Sequence, residues 1–165
     1  MSSLNIEKLK EEALAYDMGD PKRIQHFIKV HSFAKMIGTA EGLSAEDMDI
    51  LETAAVLHDI GIKNAELKYG SSSGKYQEIE GVPVAKVILS DFTDDKDFIS
   101  EVCYLISHHH TYAENMPQKL RILMEADFLV NAYEDEMSID AIKNVRTKLF
   151  ATECGTRMLD KMFGL

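Results

Sequence analysis

In the segment QKLRILMEADFLVNAYED a carboxylate stands on an apolar helical stripe. Leu120, Leu123 and Met124 precede Asp127 by seven, four and three residues, and Val130 follows it by three. Helical geometry puts residues at these offsets on one face, so Asp127 points into the core with its apolar neighbours. An unpaired buried carboxylate costs several kcal/mol, about the whole stability margin of a small domain. Any fold that contains this helix must therefore bring a partner to Asp127.

The same reasoning selects the other inward polar groups. His26 shares a stripe with Val30, Ala34 and Ile37, at offsets of 4, 8 and 11. His58 follows Leu51 and Ala55 by seven and three, and Asp59 stands beside it at the end of AAVLHDIG. His109 continues the stripe of Val102 and Ile106, and His110 that of Ile99, Cys103 and Ile106. His31 lies off its stripe and His108 faces outward, so both are expected to be partly exposed. Two carboxylates and four imidazoles are thus expected to converge from four helices, and a divalent cation is the partner that suits them all.

Around these positions the chain reads as helix after helix. Only three prolines interrupt it, and Leu, Ala, Lys, Glu and Met are frequent. Asp20 before Pro21, Ser44 before an acidic turn, and Ser138 or Asp140 have the chemistry of helix N-caps. Helices are expected over about 5–18, from Asp20 to Gly38 or Gly42, from Ser44 to Gly61, from Pro83 through Ser90, in the segments that carry His109 and Asp127, from about Ser138, and near 156–163. Residues 62–81 read as one long irregular stretch, a flexible loop that would serve as a substrate lid. Within it GSSSGKY lacks the spacing, the Ser/Thr and the preceding strand of a phosphate-binding loop. Length and pattern predict one all-α domain over residues 1–165.

The net charge of −10 opposes nucleic acid backbone and anionic membrane as partners, though not a small anion held through a cation. The amino-terminal stretch has acidic residues and no apolar core, unlike a signal peptide, and no run approaches a membrane span. Cys103 and Cys154 are far apart in sequence, so a reducing cytoplasm is the expected setting.

The order His26, His58-Asp59, His109-His110, Asp127, in the segments RIQHFIKVHSFAKMIG, AAVLHDIG and LMEADFL, resembles the HD-domain superfamily of metal-dependent phosphohydrolases. The likeness covers about 23–129, with helices over 138–165 expected to pack on that unit. It implies a bundle of five or more helices around one or two metal ions, and hydrolysis of a phosphate ester or anhydride, most often of a nucleotide. Carried over, His26, His58, Asp59 and Asp127 hold the first ion, Asp59 bridges to a second, and His109 and His110 belong to that second site. Dinuclear members have a further histidine where this chain has Gln77, with Glu78 and Glu80 close by.

Two imidazoles and two carboxylates suit Mn²⁺, Fe²⁺, Co²⁺, Ni²⁺ or Mg²⁺ better than a closed tetrahedral zinc site. Such an ion activates water and polarises a phosphoryl oxygen. Lys63 and Arg23 are the expected phosphate contacts, and Glu80 the expected proton-transfer group. Two other readings use the same ligands: a silent metal- and nucleotide-binding regulatory module, and a di-iron oxygenase.

Overall fold

The structure, a computed structural model, describes residues 4–165. The expected span of 1–165 and the reading of the amino terminus extend to residues 1–3, which lie outside the described residues. Among those described, nine helices and no strand form. They are α1 (Ile6–Tyr16), α2 (Pro21–Ala40), α3 (Ala45–Leu57), α4 (Ile62–Tyr69), α5 (Gly74–Leu89), α6 (Lys96–His108), α7 (Gln118–Glu134), α8 (Ile139–Leu149) and α9 (Glu153–Phe163).

The caps act where their chemistry predicts. Asp20, Ser44 and Ser138 accept the backbone N–H groups of Arg23, Asp47 and Ala141 at 3.0, 3.1 and 3.2 Å. Each satisfies one of the donors that a helix start leaves free. α2 is the centre of the bundle, packed on α3 and α7, while α6 covers α3 and α5. Phe27, Val30, Ala34 and Ile37 of α2 join Leu51, Ala55, Ile106, Leu123 and Val130 in one buried apolar cluster. α8 and α9 pack on α7.

Three expectations about element boundaries are corrected. Residues 62–81 are helical for the most part: α4 and the start of α5 occupy them, joined by a short connection at 70–73. Pro83 lies inside α5 and does not begin it. α9 starts at Glu153, capped by Thr152, three residues earlier than expected. The GSSSG cluster is therefore a short connection between helices and not part of a long irregular loop. Gly70, at φ 63°, caps α4 through its N–H to Glu66 O. Contacts outside the backbone pattern hold the pair together: Lys68 pairs with Glu80, and the Tyr69 and Tyr76 rings stack at 4.1 Å.

The carboxyl-terminal helices are tied down by a buried carboxylate. Glu125 of α7 accepts from Ala151 N, Thr152 N and Thr152 Oγ1 at 3.0, 3.1 and 2.6 Å. Thr152 Oγ1 in turn accepts from Gly155 N at 3.0 Å, so one chain of hydrogen bonds caps α9 and fastens it to α7.

Gly61, just after the His-Asp pair, makes a close backbone approach. A Cβ there would lie 2.4 Å from both Gln77 O and Gly81 N. Only glycine lets α5 come so near. Gly61→Ala is expected to lower stability by about 1–3 kcal/mol, since backbone must move to admit the methyl group. Chemical denaturation of the metal-free variant checks this, and an unchanged midpoint would contradict it.

Candidate metal centre

α2, the end of α3 and α7 bring His26, His58, Asp59 and Asp127 to one point. Their donor atoms lie within 4.8 Å of one another. His26 Nε2 is 3.0 Å from Asp127 Oδ1, 3.2 Å from Asp59 Oδ2 and 3.2 Å from His58 Nε2. His58 Nε2 is 3.3 Å from both carboxylate oxygens. Donors held about 2.1 Å from one centre at right angles stand about 3.0 Å apart, so these separations match the edges of a coordination shell.

The ring orientations strengthen that fit. His58 Nδ1 is 2.7 Å from Ala55 O, and His26 Nδ1 is 2.5 Å from Glu134 Oε1. A carbonyl or carboxylate oxygen only accepts, so both Nδ1 atoms carry the proton. In the neutral rings both Nε2 lone pairs then face each other, beside two carboxylates. That arrangement needs a positive charge at its centre, either a proton or a cation.

A second cluster adjoins the first through Asp59, with His109 and His110. His109 Nδ1 donates to Ile106 O at 2.7 Å, while the buried Nε2 has no hydrogen-bond partner and lies 3.4 Å from Asp59 Oδ1. A buried ring nitrogen left without a partner is the mark of a donor awaiting a ligand. His110 was expected to be buried, but the residue is exposed at the pocket rim. Its ring packs against Gly74 and His109 and donates from Nε2 to Gln77 Oε1 at 2.6 Å.

His26, Asp59 and Asp127 line a pocket of about 370 Å³ between α2, α5 and α7, with His58 fully buried behind them. A groove of about 1150 Å³ between α1 and the α5–α6 connection is larger, but holds none of these residues. Arg23 lines the pocket, as do Lys22, Asn131 and Glu134, which the sequence reading did not single out. Glu134 was open to detection: it follows Asp127 by two helical turns and shares its face.

Two candidate residues lie elsewhere. Lys63 is directed to the end of α1, where its Nζ donates to Tyr16 O at 3.2 Å and lies over the Tyr16 ring. Glu80 is buried and paired with Lys68, outside the pocket lining. Lys63 is one position past Ile62, which does line the pocket, whereas Glu80 is nearly a full turn beyond the lining residue Gln77 and is taken up by Lys68. His31 is also buried, with Nε2 2.9 Å from Glu52 Oε1, away from the centre. His108 points away, its Nδ1 2.8 Å from Tyr104 O.

Comparison with known proteins agrees with this geometry. The family model described as HD domain matches residues 23–132. The chain therefore belongs to the HD-domain family, and it is a hydrolase of that superfamily whose clustered His and Asp residues are suited to a divalent metal. A crystal structure described as a predicted HD superfamily hydrolase, from an uncultured Thermotogales bacterium, is similar to it. The two share 26% identity with a TM-score of 0.66, over 96% of this chain and 83% of that one. No curated protein sequence matches.

Charge in the metal-free centre sets a pH dependence. Burial opposes protonation of His26, but Asp127 and Asp59 outweigh it and raise the imidazole from 6.5 to about 9. Burial likewise pushes Asp59 and Asp127 up, but His58 and His26 hold both well below 3.8. The His26 contribution to stability is thus complete below about pH 6.5 and lost as pH rises through about 9. The carboxylate contribution is present above about pH 4 and lost in acid. Chelator-treated protein is expected to lose on the order of 2 kcal/mol between about pH 6.5 and pH 9.5. Denaturation across that range checks it, and a cation in the proton's place should flatten the alkaline fall.

Proposed function

We propose that the protein hydrolyses a phosphate ester or anhydride of a small molecule, with a nucleotide as the first substrate class to test. The observation that carries this reading is the set of four donors at coordination-shell spacing, three of them lining a pocket that Lys22 and Arg23 also line. Mn²⁺, Fe²⁺, Co²⁺, Ni²⁺ and Mg²⁺ are the ions this mixed nitrogen and oxygen set favours. Bound there, such an ion supplies Lewis acidity for a phosphoryl oxygen and lowers the pKa of water.

The chain's own residues do the rest. His26 and His58 present Nε2 with their Nδ1 protons held elsewhere, so neither ring has to reorient. Asp59 and Asp127 balance two positive charges and leave the centre neutral. Asp59 also offers Oδ1 toward His109, which makes it the residue through which a second ion would share the site. Arg23 is assigned the phosphate contact. Its ion pairs with Asp20 at 3.8 Å and Glu66 at 4.0 Å are long, so the guanidinium is only loosely engaged. Lys22 takes the companion position on the same turn. Cys103 and Cys154 are both free, in keeping with the cytoplasmic setting that forms part of this proposal.

The test is release of inorganic phosphate from a panel of nucleotides and sugar phosphates, with Mn²⁺ or Co²⁺ added. Asp59→Ala is expected to lose retained metal and at least about 1000-fold in kcat/KM together. Arg23→Ala should raise KM about tenfold while the metal stays bound. Full activity in Asp59→Ala would overturn the assignment. Tight nucleotide binding without turnover would replace hydrolysis with a regulatory role, and oxygen consumption by the iron-loaded protein would favour an oxygenase.

A further inference from the structure

The inward histidines His26, His58 and His109 solve one problem in two different ways. A histidine that offers Nε2 to a cation must have its Nδ1–H held, or the ring turns and the other tautomer competes. His58 and His109 are the C-cap residues of α3 and α6. The last carbonyls of a helix lack partners within it, so a ring at the end can reach back to the residue three before it. Both do so, to Ala55 O and Ile106 O, at 2.7 Å each.

His26 cannot use this device. It is the sixth residue of the 20-residue α2, where the carbonyls of the preceding turn are taken up in the helix ladder. Its partner has to come from another element, and it does. Glu134, the last residue of α7, places Oε1 2.5 Å from His26 Nδ1. The Glu134 side chain is 11% exposed, and Lys29 Nζ lies 3.4 Å from its other oxygen. The carboxylate is thus held from the far side and forms part of the pocket wall.

We propose that Glu134 is a positioning residue of the metal centre, a carboxylate that grips the His26 ring by its Nδ1–H and fixes Nε2 toward the cation. This rests on the reading of the cluster as a metal site, and not on the identity of the substrate. Among the described imidazoles of the first cluster, His26 alone depends on a side chain that a single substitution removes. His58 would keep its backbone acceptor through any substitution at Ala55.

The experiment is a titration of chelator-treated protein with Mn²⁺ and with Co²⁺, read by calorimetry and by the visible spectrum of the Co²⁺ form. Glu134→Leu is expected to weaken binding of the first ion by 10- to 100-fold and to alter the Co²⁺ bands. Glu134→Gln, whose amide oxygen still accepts from Nδ1, should recover most of that loss. Lys29→Ala removes the carboxylate's neighbour but not the acceptor, and should change affinity less than about threefold. Circular dichroism establishes that each variant is folded. Should Glu134→Leu fail to fold, Glu134→Gln and Glu134→Asp still decide. Affinity ordered by the ability to reach and accept from Nδ1 supports the proposal, and equal affinity across the variants overturns it. Wild-type protein that binds Mn²⁺ but releases no phosphate would end the hydrolase reading and leave this inference standing. An active wild type with an indifferent Glu134→Leu would do the reverse.

Discussion

Two imidazole lone pairs facing each other across 3.2 Å, with a carboxylate oxygen near each, form the constraint on which the rest of the molecule depends. Without a positive charge between them the arrangement is repulsive, and its burial leaves little water to soften the repulsion. With one, each donor is attracted to the shared charge, which outweighs their mutual repulsion. The core was built to hold that geometry from three separate elements. α2 supplies His26 from its interior, α3 supplies His58 and the turn after it supplies Asp59, and α7 supplies Asp127. The packing of α2 against both α3 and α7 sets the distances, so apolar burial along those two interfaces keeps four like-minded donors together when no ion is present.

The adjacency of His58 and Asp59 follows from the end of a helix. Within a helix two neighbouring side chains diverge by about 100°, and they could not meet one ion. At Leu57 the helix stops, and the turn that follows brings Asp59 back to the point where His58 already aims. The same ending frees the carbonyl that orients His58. Gly61 then lets α5 pass at backbone contact distance, which sets Gln77 beside His110. One short stretch therefore supplies two donors, the acceptor that fixes one of them, and the space for the neighbouring helix.

Stripe arithmetic made much of this legible. His26, His58, Asp127 and His109 each sit at core spacing with apolar neighbours, and each is buried. The reasoning failed where period and composition gave opposite signals. Residues 70–74, rich in glycine and serine, suggested that the whole of 62–81 was irregular, and Pro83 seemed to open a helix. In the fold the Tyr69–Tyr76 stack, the Lys68–Glu80 pair and the Gly61–Gly81 approach stabilise α4 and α5 through contacts far apart in the local pattern. Once Lys63 and Glu80 are placed on those helices their directions are fixed, and neither points to the pocket. Glu134 escaped for another reason. It shares the face of Asp127, but a glutamate at the end of a helix looks like solvated charge until its partner across the interface is seen.

The acidic balance of the chain bears on which anions can approach. With a divalent ion in place, Asp59 and Asp127 would balance its charge, so the centre would act on a phosphate by direct coordination and only weakly from a distance. Attraction from a distance would then come from Lys22 and Arg23, on the first turn of α2 at the pocket. Opposing them is the general field of a protein with net charge −10. Exposed charges act over about 8–10 Å at physiological salt, so a compact phosphate ester at the pocket mouth meets mainly the local pair. A polyanion stretches far beyond that range and meets the acidic surface along its length. The same charges that oppose a nucleic acid backbone thus leave a path for the small phosphorylated molecule proposed as substrate, so the acidic exterior is compatible with that proposal.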